Sequence, residues 1–158
     1  MLSFNREDEA RLMGATESEN ANEPLEEDPT SSDNFGFQAN WEVSDRLEIG
    51  GWFGYTVANS KIDDESATIL NTAFTLAFLD LGRERSEAGI IISVSSILTQ
   101  HDDSAIEYER TSLHIETFYR YQINDNIAIT PGVFWITQPD HSDRDSILVG
   151  TIGTMFRF

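Results

Sequence analysis

From Phe35 to Phe158 the apolar residues of this chain recur at every second position, segment after segment. A period of two is met only by extended strands that present one apolar face. "FGFQANWEV" shows the pattern plainly, with Phe35, Phe37, Ala39, Trp41 and Val43 alternating with Gly36, Gln38, Asn40 and Glu42. One set suits hydrocarbon and the other suits water. After the turn signal Ser44-Asp45, "RLEIGGWFGYTV" resumes the alternation with Leu47, Ile49, Gly51, Phe53, Tyr55 and Val57 on the apolar side, so the two segments read as a hairpin.

Five more segments follow: "TILNTAFTLAFLDL", "EAGIIISVSSILT", "TSLHIETFYRYQI", "IAITPGVFWIT" and "DSILVGTIGTMFRF". Ala and Leu in the first of these would also suit a helix, but its alternation and β-branched content favour a strand. Pro131 cannot donate to a ladder and predicts an edge position or a bulge in the sixth segment. In the seventh, Leu148, Gly150, Ile152, Thr154, Phe156 and Phe158 face one way and Ile147, Val149, Thr151, Gly153, Met155 and Arg157 the other.

Segments of about 9 to 13 residues suit strands that cross an outer membrane at a tilt, and exceed the five or six usual in soluble sandwiches. Connections that alternate between short and long would strengthen that reading, since membrane barrels put short turns on the periplasmic side. The expected order is short at 44–45, long at 58–66, fairly short at 82–86, long at 100–110, short at 124–126 and medium at 138–145. Aromatic residues collect near segment ends, with Trp41, Tyr119, Tyr121, Phe156 and Phe158 toward one side and Phe35 and Tyr55 toward the other. Such belts mark the two membrane interfaces. The expected fold is therefore all-β: an antiparallel up-and-down transmembrane β-barrel, of which this chain supplies about seven strands.

Residues 1–34 read as an acidic extracellular loop or disordered segment ahead of a barrel portion at 35–158. The stretch "ESENANEPLEEDPTSSDN" has almost no aliphatic content. A formal net charge of -18 sets the chain against polyanions, and nucleic acid is not an expected partner. The absence of Cys rules out disulfides and thiolate metal sites. No apolar run is long enough for a membrane helix, and "MLSFNREDEARLMG" does not read as a signal peptide.

The runs "FLDLG", "EAGIIISV" and "FYRYQINDNIAITPGVFWITQPDHSDRDSILVGTIGTMFRF" resemble the carbohydrate-selective porin family OprB, and within it the cyanobacterial members described as iron uptake porins. The resemblance covers 35–158 and is strongest from 118 onward. It implies a sixteen-stranded outer-membrane barrel that lets small hydrophilic solutes, carbohydrates or inorganic cations including iron, diffuse passively. It also implies outer-membrane lipid and the barrel insertion machinery as partners, and a homotrimer as a common assembly. A terminal aromatic pair, Phe156 and Phe158, resembles the family's insertion signal. The turn "RERSEAG" departs from the family in its charge. Seven strands are too few and odd in number for a bacterial barrel, so the chain is expected to be the C-terminal part of a longer porin, with "MLSF" the tail of a preceding strand and the remaining strands supplied upstream.

No enzyme constellation is present, since His101, His114 and His141 have no nucleophile beside them in any known pattern, and no cofactor is expected. The acidic runs "DDSAIEYE" and "DHSDRD" lack the spacing of a calcium loop, and no metal site is expected. A porin acts through its lumen, so the candidates are the water-facing side chains Gln38, Asn40, Glu42, Arg46, Glu48, Trp52, His114, Glu116, Phe118, Arg120 and Gln122. Cross-strand pairing among Glu116, Arg120 and Glu48 is a purely structural role open to the charged ones. Trp52 and Phe118 would be the stacking platforms for a sugar. A soluble β-sandwich or lipocalin-like binding module, and a barrel enzyme with a rim His or Ser, are the competing classes.

Overall fold

The computed structural model describes residues 2–7, 21, 25, 29–101 and 110–158, with side chains at 2–7, 100 and 101 left aside. Most of the acidic stretch before residue 29, and "DDSAIEYE" at 102–109, lie outside the described residues. All seven alternating segments are strands, and an eighth precedes them at the "MLSF" end. The strands are β1 (Leu2–Glu7), β2 (Thr30–Ser44), β3 (Leu47–Ser60), β4 (Ser66–Leu79), β5 (Glu87–His101), β6 (Leu113–Asn124), β7 (Ile127–Thr137) and β8 (Ile147–Phe156). They form one antiparallel sheet in strict chain order, each strand bonded to its sequence neighbours. The sheet is open, with β1 at one edge and β8 at the other.

Strand β2 starts at Thr30, earlier than the aromatic alternation at Phe35 suggests. Thr30, Ser32 and Asn34 carry the same alternation in polar side chains, and they pair in register with Ser60, Ala58 and Thr56 of β3. Strands β2 to β5 thus reach 14 or 15 residues.

Register sorts the sheet into two faces. One row runs Ala39, Gly51, Phe74, Ile92, Ile115, Trp135, Leu148 across β2 to β8. The next runs Trp41, Ile49, Leu76, Ile90, Thr117, Val133, Gly150. These rows share a face with Phe37 and Phe53 on one side and with Val43, Leu47, Phe78, Ala88, Tyr119 and Ile152 on the other. No charged side chain falls among them. Many of their large apolar members are exposed, Phe37 at 55%, Leu148 at 70% and Ile152 at 76%, while Ile49, Leu76, Ile90 and Ile115 are half-buried. A soluble protein rarely leaves so continuous an apolar surface uncovered. From Phe35 to Val43 the rise is about 26 Å along the strand, which at a barrel-like tilt of about 40° gives about 20 Å of height, most of the ~25 Å apolar band of outer-membrane proteins.

The two sheet ends differ. On one lie the connections 45–46, 80–86 and 125–126 together with the C-terminus; on the other lie 8–29, 61–65, 102–112 and 138–146. The first is the short-turn end and the second the long-loop end. The expected alternation of length needs one correction: 61–65 is no longer than 80–86, because β3 continues through Asn59 and Ser60, which pair with Ser31 and Thr30.

The charged turn at 80–86 has a local reason. Asp80, Gly82 and Arg85 take left-handed backbone angles, and the Asp80 carboxylate accepts the Arg85 N–H at 2.5 Å. That fold points Arg83 at the Tyr121 hydroxyl (3.2 Å) and pairs Arg85 with Asp125 on the next turn. Tyr119 donates to the Leu81 carbonyl at 2.7 Å. An aromatic belt results at the short-turn end, its polar tips tied to the turn through the Leu81 carbonyl and the Arg83 side chain.

Pro131 is in a strand after all, and the ladder shows its cost. The β6–β7 pairs run Phe118 with Gly132 and Tyr121 with Ile129, skipping Thr130 and Pro131 itself. Pairing to β8 continues through Pro131 and Ile152.

Candidate pore-lining face

The second face is graded along the strands and holds its polar side chains mainly on β2 to β6, while on β7 and β8 it carries Phe134, Ile136, Ile147, Val149 and Met155. Near the short-turn end the rows are charged, in the middle they carry amides, hydroxyls and one indole, and toward the long-loop end they turn small and buried. Ten of the eleven sequence-derived candidates (Gln38, Asn40, Glu42, Glu48, Trp52, His114, Glu116, Phe118, Arg120 and Gln122) fall on this face by register. Arg46 does not. It sits in the two-residue β2–β3 turn, its carbonyl accepting the Leu79 N–H at 3.0 Å. Alternation counted back from Leu47 cannot see that the strand has already ended.

Among the charged residues, Arg120 pairs across the ladder with Glu87 at 2.8 Å, each about one-third exposed or less. The sequence-based partners, Glu116 and Glu48, are displaced by Glu87, the first residue of the segment "EAGIIISVSSILT", which was not among the candidates. Glu48 stands opposite Glu42. Like charges directly opposed cost stability, so this pair is held by something other than its own energetics. Glu116 lies 3.7 Å from His114 Nε2, and the His114 ring stacks on Phe134 with centroids 5.3 Å apart. Gln122 is occupied locally, its amide donating to the Asn124 carbonyl at 2.5 Å.

The two aromatic candidates have different surroundings. Phe118 lies flat over Gly89, where a methyl group would collide with its ring, so that face of the phenyl is spent against the sheet. Trp52 stays 41% exposed. It faces Gln38 across the ladder, with Ala73 on its other side. The adjoining row is Gly36, Gly54 and Asn71. Any Cβ at Gly54 would sit 2.6 Å from the Asn71 amide, so glycine is what lets that amide lie down beside the indole. A depression of about 270 Å³ opens there, lined by Gly36, Gln38, Trp52, Gly54 and Asn71 among others. An indole face rimmed by neutral amides suits the mixed apolar and hydroxylated surface of a sugar. Asn71 escaped sequence reasoning because it stands beside Ala73 and Ala77 on a face that looks bland.

Toward the long-loop end, Thr56 donates to Asn34 at 2.7 Å and Asn34 to Ser32 at 3.1 Å, so these buried polar groups are satisfied among themselves. His141 is the other residue that sequence reasoning left unassigned. It is 3% exposed, accepts the Ser112 N–H at Nδ1 (3.0 Å) and reaches the Ser96 carbonyl with Nε2 (3.1 Å). No group of three His, Asp or Glu among the described residues is arranged to hold a metal ion.

Comparison with known proteins gives the same architecture a family. Residues 3–158 match the family described as "Carbohydrate-selective porin, OprB family". An uncharacterized protein of Nostoc sp. is 29% identical over 132 residues, covering 82% of this chain and 22% of the relative. An uncharacterized protein of Synechocystis sp. is 28% identical over 167 residues, covering 93% of this chain and 31% of the relative. The chain therefore spans less than a third of the length of these relatives. No solved structure matches. With the match running through all eight strands, the chain belongs to the OprB family of carbohydrate-selective porins.

Proposed function

We propose that this chain forms part of the wall of an outer-membrane diffusion channel for small hydrophilic solutes. Carbohydrates and inorganic cations, iron included, are the solute classes concerned. The observation that carries the reading is one sheet with a charge-free, exposed apolar face and a graded polar face. A soluble sandwich or lipocalin-like module would turn the apolar face inward, whereas here Phe53, Phe74, Ile92 and Trp135 lie open. Open edges are not viable in hydrocarbon, because each unpaired backbone group there costs several kcal/mol. Further strands, from the same longer polypeptide or another copy, must therefore pair with β1 and β8.

Glu42 and Glu48 tolerate their mutual repulsion because cations pass them, and the excess of acidic residues in the connections raises the local cation concentration. Trp52, with Gln38, Asn40 and Asn71, offers a neutral stacking surface to sugars, while Glu116, Arg120 and Gln122 shape the wall. Phe156 closes the outward row of β8, opposite Ile127, and Phe158 projects free beyond it. Both suit recognition by the insertion machinery. Planar-bilayer recordings test the channel. Open-channel conductance with a reversal potential of cation-selective sign is expected in a salt gradient; no conductance sinks the channel, and anion preference sinks the role of Glu42 and Glu48.

A further inference from the structure

The 80–86 turn, between β4 and β5, leans to one side of the sheet. Tyr119 and Tyr121 lie on the apolar face of β6, in the same alternation as Ile115 and Thr117, and their contacts draw the turn over toward them. Tyr119 donates its hydroxyl proton to the Leu81 carbonyl, and a Cβ at Gly82 would lie 3.4 Å from that same hydroxyl. The Arg83 guanidinium sits 5.6 Å from the centre of the Tyr121 ring while donating to the Tyr121 hydroxyl. The turn therefore leans toward the side that faces lipid. Within it, Leu81 leaves an apolar side chain 48% exposed.

Charge singles out Arg83 in this turn. Arg85 is neutralised by Asp125, and Arg120 on β6 by Glu87. Among the described residues no carboxylate pairs with Arg83, and the Tyr121 hydroxyl occupies only part of its donor set. A guanidinium held over an aromatic ring keeps its fork open to an oxyanion, and phosphate is the one its geometry suits in a membrane. Tyrosines of an aromatic belt stand at the level of the lipid headgroups, and short turns lie on the periplasmic side of a barrel. The headgroups of that leaflet are thus brought beside Arg83.

We propose that the 80–86 turn is a phospholipid headgroup site. The Arg83 guanidinium takes the phosphodiester of a glycerophospholipid in the periplasmic-side leaflet, Tyr121 holds the guanidinium in place, and Leu81 packs among the acyl carbons nearest the headgroup. A bound headgroup fixes the height of this end of the sheet in the bilayer. The site rests on the reading of this sheet as a membrane wall, and is independent of which solutes pass.

The full chain, extracted in mild detergent from the membranes of producing cells, is titrated with phosphatidylglycerol or with an uncharged galactolipid of the same acyl chains. Native mass spectrometry reads the lipid-bound fraction. Arg83→Gln is expected to weaken phosphatidylglycerol binding at least about fivefold, the worth of one basic residue at a membrane surface, and to leave galactolipid binding unchanged. Arg85→Gln removes the same charge from the same turn, but from a guanidinium already held by Asp125, and should stay within about twofold of the unaltered chain. Heat-modifiable electrophoretic mobility shows that each variant is folded. Equal weakening by both substitutions, or none by Arg83→Gln, overturns the site. A second measurement locates the turn, using the absence of cysteine from the chain. In membranes, Leu81→Cys should react with a water-soluble maleimide about tenfold more slowly than Asp45→Cys in the β2–β3 turn, since a thiol in the low-dielectric interface holds far less of the reactive thiolate. Equal rates put the turn in water, give Arg83 to a soluble partner and overturn the proposal. Ile92→Cys then separates the two failures: protected, it leaves the membrane wall standing while the site falls, and equally reactive, it takes both.

Discussion

Lysine at Ile92 and lysine at Ser93 differ by one position and should differ in sign of interpretation. Ile92 lies in the middle apolar row between Phe74 and Ile115 and is 43% exposed. Ser93 faces the other way, between Ala73 and His114. If the apolar face meets lipid, Ile92→Lys places a charge near the bilayer midplane and costs about 2–4 kcal/mol. Ser93→Lys on the water side should cost no more than about 0.5 kcal/mol, as surface substitutions do. Ala88 is four residues from Ile92, about 13 Å along the strand and close to the interface once tilt is included, so Ala88→Lys should cost only about 0–1 kcal/mol. Urea titration in lipid vesicles, followed by Trp41, Trp52 and Trp135 emission and by the mobility of folded and unfolded forms, measures all three. The Ile92 change corresponds to about a 30- to 900-fold loss in the folding equilibrium constant. If that face met water instead, Ile92→Lys would be a surface substitution and the difference from Ser93→Lys would vanish. Finding Ile92→Lys as well tolerated as Ser93→Lys would falsify the assignment of faces.

His141→Ala leaves the buried Ser112 N–H without its acceptor and should cost about 1–3 kcal/mol by the same titration, whereas Asp143→Ala on the exposed part of that connection should change stability little. Gly89→Ala drives a methyl group into the Phe118 ring and is expected to destabilise by about 1–3 kcal/mol; combining it with Phe118→Ala should recover most of the loss, and simple additivity would refute the contact. Glu42→Gln with Glu48→Gln should raise stability slightly by removing like-charge opposition while lowering cation selectivity in a salt-gradient recording, a pairing of effects that a merely structural role does not produce.

Much of the candidate site was legible because side-chain direction in a strand is a local property. Gln38, Asn40, Trp52, His114, Glu116 and Arg120 could be placed on one face by counting positions from apolar neighbours, with no knowledge of which strand lies beside which. Counting fails where a strand ends or a glycine intervenes. Arg46 belongs to a turn, and Phe118 is pressed down because Gly89, nearly thirty residues away in sequence, has no side chain to hold it up.

The division of the chain into strands with a hydrocarbon side and a water side was determined by sequence alone, since a period of two admits no other regular structure. Partners across the ladder, such as Glu87 for Arg120, were decided by register, which depends on where each neighbouring strand begins. The covering of Ile69 and Leu98 by Leu25, and the seating of His141 on Ser96, were decided by the tertiary fold. Those contacts join residues some forty or more positions apart, and composition had marked both connections only as acidic. An apolar residue isolated in a charged stretch gains its meaning from the surface it reaches, and that surface exists only once the sheet has formed.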